Sequence, residues 1–339
     1  MVPIDDETSS DIREKGSVVL KRVLGLAGAV WVLGLVSRAM AGETEIGWKF
    51  EKDKIFYQEL KTVTTQTMSV MGQELAQNQE QSFYFRWTVK DIKDGKITLT
   101  QKIEGVRLKM DIAGNVIQFD SAAPADPRFT STALAQFFQA MVGAELTVTY
   151  KQSDMKIEKI EGITELLKKL VAVNQQMEPL LKKLLSEEAI RQMIDPSFAV
   201  VPDGGRIEKG KEWERSSRLS LGPIGNYETI YKFKYTGDSD EKDLVGITVS
   251  PVIKYSSPAS PGEGLPFKIL KADFKQGDAG AEKSIIRFDR AAGRVAESRL
   301  TTVMEGELTV EINGQSQRIP LRQRQTTTTR FGDSSFLRK

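Results

Sequence analysis

The sequence predicts an α+β protein with one or more mainly antiparallel, curved β-sheets from two related halves and helices packed on the concave face. Residues 47–150 show the two-residue alternation of apolar and polar side chains that strands require, and a second alternating stretch follows residue 212. Between them lies a segment with helical periodicity. Strands grouped before and after helices predict an α+β arrangement.

The composition excludes several kinds of chemistry. The 339 residues include no histidine and no cysteine. A Ser–His–Asp triad, a histidine-ligated zinc site and thiolate chemistry are therefore excluded, and we predict no metal and no cofactor. The net charge is +2, because 48 basic residues stand against 46 acidic ones. The absence of histidine and cysteine favours a non-catalytic protein. The near-zero net charge favours one that does not bind nucleic acid.

Residues 1–41 are predicted to be a signal peptide. Lys21 and Arg22 precede an uninterrupted apolar run over residues 23–36, and Ala39 and Ala41 are small residues at positions −3 and −1. As a helix the run would extend about 21 Å, less than a bilayer core of about 30 Å. Cleavage near Ala41 is therefore favoured over a retained anchor. Cleavage would leave no stable membrane span and place the protein in the periplasm or outside the cell.

Residues 42–160 are predicted to be an N-terminal β-rich half with one short helix. Within residues 83–89 every second side chain is apolar, the period of a half-buried strand: Phe83, Phe85, Trp87 and Val89. Asp94-Gly95 then marks a hairpin. The short helix falls within residues 131–143, where Ser131 or Thr132 supplies the N-terminal cap.

Residues 161–200 are predicted to be a helical segment. Leucine and methionine recur at helical spacing over residues 163–194. Pro179 lacks an amide donor, so it should kink this stretch or split it into two helices. Ser186 followed by two glutamates has the composition of a new cap and first turn.

Residues 201–339 are predicted to be a C-terminal β-rich half. Asn313-Gly314 marks its last hairpin. The predicted strands are Trp213–Leu221, Tyr227–Tyr235, Leu244–Tyr255, Phe267–Phe274, Ser284–Phe288, Arg294–Met304, Glu307–Ile312 and Gln315–Leu321.

The run that contains Asp111, Gly114 and Asp120 raises the question of a metal or acid–base site. Its spacing does not match a calcium loop. An aspartate that bonds to its own backbone and a glycine with positive φ are what a hairpin turn needs. A similar segment, Asp289 to Gly293, recurs in the second half. The recurrence favours a turn and predicts an internal duplication.

The C-terminal strand is basic. Arg318, Arg322 and Arg324 are predicted to share one face, opposite Ile319 and Leu321. These arginines could meet anionic lipid headgroups or acidic glycans. We favour the alternative, a solvated strand whose charges discourage pairing between exposed sheet edges.

The apolar helix faces leave two interpretations open. They form an ordinary core, which is the default, or they line a cavity where flexible leucine and methionine suit an apolar ligand. In the second case the candidate ligand-binding residues are Leu134, Phe137, Phe138, Met141, Leu166, Leu170, Met177, Leu181 and Leu184.

The mature chain resembles an uncharacterised family of exported bacterial β-rich proteins, known as a domain of unknown function. The resemblance covers roughly residues 45–330. It is carried by Phe56-Tyr57, the Asp-turn-Gly-x-Val hairpins, the helical stretch that ends at residues 186–194, and the restart Gly210-x-x-Trp213. The layout is more distantly similar to periplasmic lipoprotein-carrier folds, which implies a curved sheet lined by helices.

The leading functional hypothesis is therefore an exported, non-catalytic cell-envelope binding protein. It would hold an apolar or amphipathic ligand, such as a lipid, between sheet and helices, and its partners would include envelope components. One alternative is a structural scaffold without a ligand. A glycan hydrolase with two carboxylates is the more distant alternative.

Overall fold

A thirteen-stranded antiparallel sheet dominates the computed structural model. Its strands are β2 (Ile55–Val70), β3 (Gln73–Lys93), β4 (Lys96–Ile112), β5 (Asn115–Asp120), β6 (Glu145–Lys151), β7 (Ile157–Glu161), β9 (Glu212–Ser220), β10 (Asn226–Asp238), β11 (Leu244–Ser256), β12 (Lys268–Gln276), β13 (Ser284–Asp289), β14 (Arg294–Ile312) and β15 (Gln315–Gly332). Two short strands, β1 (Thr44–Glu45) and β8 (Arg206–Ile207), pair with each other.

The structure describes residues 44–337 except 71–72, 125–131, 195–197, 199, 221–224, 239–240, 242, 259–267, 281–282 and 313. The signal-peptide segment and Ser131 lie outside the described residues. Within them, four α-helices follow one another: α1 (Ala133–Met141), α2 (Ile163–Val173), α3 (Glu178–Leu184) and α4 (Glu187–Ile194). The sheet is curved and open, so the predicted α+β fold class is confirmed. The predicted duplication of two halves stays a prediction.

The first and last strands of the large sheet along the chain, β2 and β15, are neighbours at the middle of the sheet. The strand order runs β7-β6-β4-β3-β2-β15-β14-β13-β11-β10-β9. β15 pairs with β14 on one side and with β2 on the other. The interpretation of Arg322 and Arg324 as residues of an exposed edge is therefore wrong, because β15 is paired on both sides there. Arg318 precedes Leu321, where the pairing with β2 begins. Arg322 instead pairs with Glu305 at 3.1 Å on the neighbouring strand.

Two long strands each pair with two shorter strands along one edge. The first part of β4 pairs with β6, and its last part pairs with β5. The first part of β14 pairs with β13, and its second half pairs with β12. β14 runs unbroken through residues 305 and 306, where the sequence predicted two strands. Gly306 lets β12 pair closely with β14 at this point, because a Cβ there would lie 2.0 Å from the carbonyl oxygen of Asp273 on β12.

Three predicted turns are present, and Asn313 of the fourth lies outside the described residues. Asp94 and Gly95 both have positive φ, 53° and 70°, and join β3 to β4. The Asp111 carboxylate accepts a hydrogen bond of 2.9 Å from the Gly114 amide, and Gly114 has a φ of +89°. Asp289 accepts from the Ala292 amide at 2.8 Å in the turn between β13 and β14. The aspartates of these segments act as turn residues.

One face of the sheet, hereafter the core face, carries the buried side chains. Trp87 is fully buried and stacks on Phe56 at a centroid distance of 5.9 Å. Its indole nitrogen donates to the Gln58 side chain at 2.9 Å. Phe198, which follows the helices, lies edge-on to Trp87 at 5.6 Å. Aromatic side chains bury large apolar areas, so this cluster contributes strongly to the stability of the fold. The opposite face is hereafter the outer face.

The helical segment breaks earlier than the sequence predicted. α2 ends at Val173, and a 3-10 turn over Gln175–Met177 leads into α3. Pro179 lies in the first turn of α3, where a missing amide hydrogen costs nothing. Of the two predicted effects of Pro179, a kink or a split, the structure has the split. The predicted caps are present: Thr132 accepts from the Ala135 amide at 3.1 Å, and Ser186 accepts from the Ala189 amide at 3.2 Å.

Helix α4 connects the two terminal strands of the sheet order. Arg191 donates to the Ile157 carbonyl oxygen on β7 and to the Glu158 carbonyl oxygen at 3.4 Å. The next residue, Gln192, accepts from the Ser220 amide of β9 at 2.9 Å, and its backbone oxygen accepts from Ser217 at 3.3 Å. These bonds satisfy edge groups that an open sheet would otherwise leave to water.

We expect Arg191→Ala to lower the free energy of unfolding by about 1–3 kcal/mol, because it removes charge-assisted hydrogen bonds to the edge of β7. Urea unfolding followed by circular dichroism would measure the change. Gln136→Ala, at an exposed position of α1, is the matched control and should change the value by less than about 0.5 kcal/mol. An equal effect of the two variants would contradict the role of α4.

Candidate functional site

Helices α1 to α3 form a layer on the core face beside β3, β4 and β5. Phe138 of α1 packs against Phe83 and Phe119, with ring centroids 6.4 and 6.1 Å apart. Val106 and Leu108 of β4 belong to the same buried cluster. Regular pairing of β2 with β3 keeps Phe83 and Trp87 on one face, so these helices share that face with the main core.

The candidate ligand-binding residues divide between the interior of this layer and its surface. Four are buried, with 1–8% exposure: Phe138, Leu166, Leu170 and Leu181. Four are partly exposed: Phe137, Met141, Met177 and Leu184. Leu134 is 36% exposed. The buried residues act as ordinary core, and the partly exposed ones leave an apolar surface on the helices. Their role in ligand binding stays a prediction.

A patch of neutral polar side chains adjoins the helical layer on the same face. It lies on the four central strands, in cross-strand rows that β-pairing aligns. Directly paired residues of antiparallel strands project to the same side of a sheet, so these rows form one surface. This Gln/Thr patch consists of Gln77, Gln79, Gln81, Thr62, Thr64, Gln66, Gln323, Gln325, Thr327 and Thr302.

The Gln/Thr patch is half-buried and internally hydrogen-bonded. Gln79 donates to Gln81 at 3.3 Å, and Gln323 donates to Gln325 at 3.4 Å. Gln325 in turn donates to the Thr327 hydroxyl at 3.4 Å. Each of these bonds uses one of the two N–H groups of an amide, so each donor amide has a second one to offer. The patch contains no charged residue.

Apolar residues border the patch on the adjoining positions of the core face. On one side, Leu108, Met110 and Ile112 of β4 pair with its three glutamines on β3. Leu75, Met68 and Leu321 lie in the next row toward the strand ends. Leu300 and Met304 of β14 pair with Thr327 and Gln323. The patch is therefore a polar island within an apolar surface.

Sequence reasoning missed this patch although its signal is visible. Glutamine occupies alternate positions in Gln77, Gln79 and Gln81, and again in Gln323 and Gln325. Alternation indicates a shared face of a strand. The alternation does not indicate that this face of the sheet also carries the core. That depends on how the strands curve and on which helices cover them.

A cluster of aromatic side chains occupies the core face of β10, β11 and β12. The ring centroids of Tyr227 and Tyr255 are 5.0 Å apart, and those of Tyr255 and Phe274 are 5.3 Å apart. Burial raises the pKa of Tyr227 and that of Tyr231. Burial together with the nearby Tyr227 raises the pKa of Tyr255 to about 12. These phenols are held neutral in a poorly hydrated environment.

The outer face carries a charged cavity of about 670 Å³ beside β2 to β5. Its carboxylates are all ion-paired: Glu80 with Lys61 at 2.7 Å and Asp120 with Arg107 at 2.8 Å. Glu59, which is 8% exposed, pairs with an arginine of β15.

Tyr84 is buried on this outer face, opposite the apolar row of Phe83, Phe85 and Trp87. The Arg107 guanidinium lies over its ring at 5.3 Å and donates to its hydroxyl at 3.1 Å. Arg107 therefore bridges Tyr84 to Asp120, and the cavity has the composition of a structural network. Within the described residues, no group of three or more acidic side chains is placed to hold a metal ion.

The chain belongs to a family of unknown function (DUF6263), whose model matches residues 94–293. The resemblance drawn from the sequence is thereby confirmed at the level of an uncharacterised family. The family carries no assigned activity. A comparison with curated proteins finds no match.

Several solved structures show distant similarity. Lipovitellin, in a structure of its lipid–protein interactions, has a TM-score of 0.40 and 9% identity over 86% of this chain. The chain spans only 26% of lipovitellin. A Vibrio parahaemolyticus domain named for outer membrane lipoprotein sorting has a TM-score of 0.16 and 7% identity, over 80% of this chain and 85% of its own.

OccK5 from Pseudomonas aeruginosa has a TM-score of 0.23 and 6% identity, over 82% of this chain and 98% of its own. Since all three scores lie below 0.5, these similarities carry no argument about function. Among the described residues, no helix combines the length and apolar character needed to cross a bilayer.

We expect the free energy of unfolding to fall as the pH rises from about 10 to about 12, because Tyr255 then holds its proton only in the folded chain. Below about pH 10 this contribution is fully present, since the phenol is neutral in both states. Tyr255→Phe should flatten the decline. Urea unfolding at pH values across this range measures the free energy of unfolding. An unchanged pH dependence in the variant would contradict the raised pKa of Tyr255 as the cause of the decline.

Proposed function

We propose that the chain is an exported, non-catalytic binding protein of the bacterial cell envelope that holds an amphipathic ligand against its core face. The observation that carries this proposal is the juxtaposition of two unlike surfaces. The partly exposed apolar residues of α1 to α3 offer a site for an apolar tail. The Gln/Thr patch beside them offers hydrogen bonds for a polar group.

Helix α1 supplies the contact between the two surfaces. Phe138 anchors the helix on Phe83, whose neighbour on the same face of β3 is Gln81 of the patch. Phe137 and Met141 stay partly exposed on the same helix. Methionine adapts its shape at low cost, which suits a wall that accepts flexible chains.

Export supports the envelope location. The basic flank, the apolar run over residues 23–36 and the small residues before Gly42 have the order that signal peptidase recognises. A soluble carrier of an amphipathic molecule is useful where that molecule must leave a membrane and cross an aqueous compartment. The distant carriers that the layout resembles support the same function only by analogy.

The same layer also supports a second candidate, a scaffold without a ligand. Leu170 and Leu181 are 1% and 2% exposed, as tightly packed as the main core. A solid helix–sheet interface of this kind needs no ligand to be stable.

Native mass spectrometry separates the two candidates. The full chain, with its own N-terminal segment, would be expressed in a bacterium and purified from the periplasm, and part of the sample extracted with organic solvent. The mass of a chain that begins at Gly42, together with a bound lipid that the solvent extracts, would support the carrier. A bare protein mass would contradict a constitutively loaded carrier and favour the scaffold.

For the apolar part of the site, we expect the protein to increase the fluorescence of N-phenyl-1-naphthylamine, an uncharged apolar probe. Phe137→Ser and Met141→Ser should weaken binding by about tenfold, because each removes apolar contact area. Leu270→Ser is the matched control, since Leu270 is 44% exposed on β12. Equal loss in the control, or none in the α1 variants, would contradict a site on the helices.

A further inference from the structure

From the Gln/Thr patch we infer that the ligand carries an uncharged head group rich in hydroxyl groups, as a glycolipid does. This inference rests on the proposed function, because it assigns the polar end of the same ligand. Its basis is the chemistry of the patch: ten neutral side chains with amide and hydroxyl groups on one surface.

The neutrality of the patch is specific to the core face. On the outer face of the same strands, charged residues alternate with the patch residues: Lys61 on β2, Glu80 on β3, and Arg322 and Arg324 on β15. A phosphate or carboxylate head group needs cationic partners, which the outer face has and the patch lacks. The hydroxyl groups of a sugar donate and accept at once, and primary amides and hydroxyls match both roles.

The size of the patch fits a small sugar head group. Its four strands lie about 4.8 Å apart, and its rows are spaced by two residues of about 3.4 Å each, so it measures about 14 Å in each direction. Gln79, Thr64, Gln325 and Thr302 form its middle row. The residues around it are apolar, and hydrogen bonds to a head group bound among them become stronger as water is displaced.

Ordinary sheet stability alone does not account for this composition. Amide ladders do stabilise sheets, and cross-strand threonine pairs such as Thr62 and Thr327, at 3.5 Å, contribute here. However, the adjoining positions of the same strands carry the partly buried apolar residues Leu60, Met68 and Leu321. Polar side chains in the middle of such a face lower its hydrophobic stabilisation, a cost that a bound polar ligand would offset.

Isothermal titration of the full chain, exported and purified as above, tests the head group with matched probes. Octyl β-D-glucoside, octyl phosphate and octanol share one tail, and free glucose has none. We expect the glucoside to bind most tightly of the four. Gln79→Leu and Gln325→Leu should weaken its binding about threefold to tenfold and leave octanol binding unchanged, since these amides would bond to the head group and not to the tail.

Gln118→Leu is the control, because Gln118 is exposed on the outer face of β5. If a leucine variant melts early, Gln79→Thr and Gln325→Thr replace it. Threonine keeps the strand preference but does not reach as far as glutamine, so the same loss is expected.

Three outcomes overturn the inference in distinguishable ways. Equal affinity for the glucoside, the phosphate and octanol would remove the head-group assignment but leave the proposed carrier function standing. Tighter binding of octyl phosphate would point to an anionic lipid instead. No binding of any probe would overturn the carrier and the head group together.

Discussion

The pairing of β2 with β15 is the constraint on which the rest of the structure depends. These strands are more than 240 residues apart, yet they pair without a register shift from Tyr57–Gly332 to Met68–Leu321. Their union turns two sets of local hairpins into one sheet. It also aligns Glu59 with Arg330 on the outer face. Closing so long a loop costs conformational entropy. The backbone hydrogen bonds and the burial that this pairing forms must offset that cost.

The Gln/Thr patch lies across this seam. β3 and β2 contribute six of its residues from the first half, and β15 and β14 contribute four from the second. Neither half has the complete surface, so the patch forms only when β2 pairs with β15.

The two faces of the sheet follow different physical rules. On the core face, Trp87 and Phe198 set the packing, and the polar groups are neutral or hydrogen-bonded within the protein. On the outer face, cross-strand ion pairs dominate, and each is partly exposed to water. Ion pairs of this kind contribute little to stability and much to register, because like charges directly opposite one another would be unfavourable. Tyr84 differs from the other outer-face residues discussed above, because it is a large aromatic side chain buried under Arg107.

The sequence by itself determined the elements whose causes are local. Asp94-Gly95 specifies a hairpin through its positive φ values, Thr132 and Ser186 cap helices, and the alternation over residues 83–89 selects a strand face. The tertiary structure alone decided the central place of β15, the continuity of β14 through Gly306, and the connection of β7 to β9 by α4. These depend on which distant strands meet. A residue's own preferences carry no information about a partner hundreds of positions away, so such contacts emerge only from the packing of the whole chain.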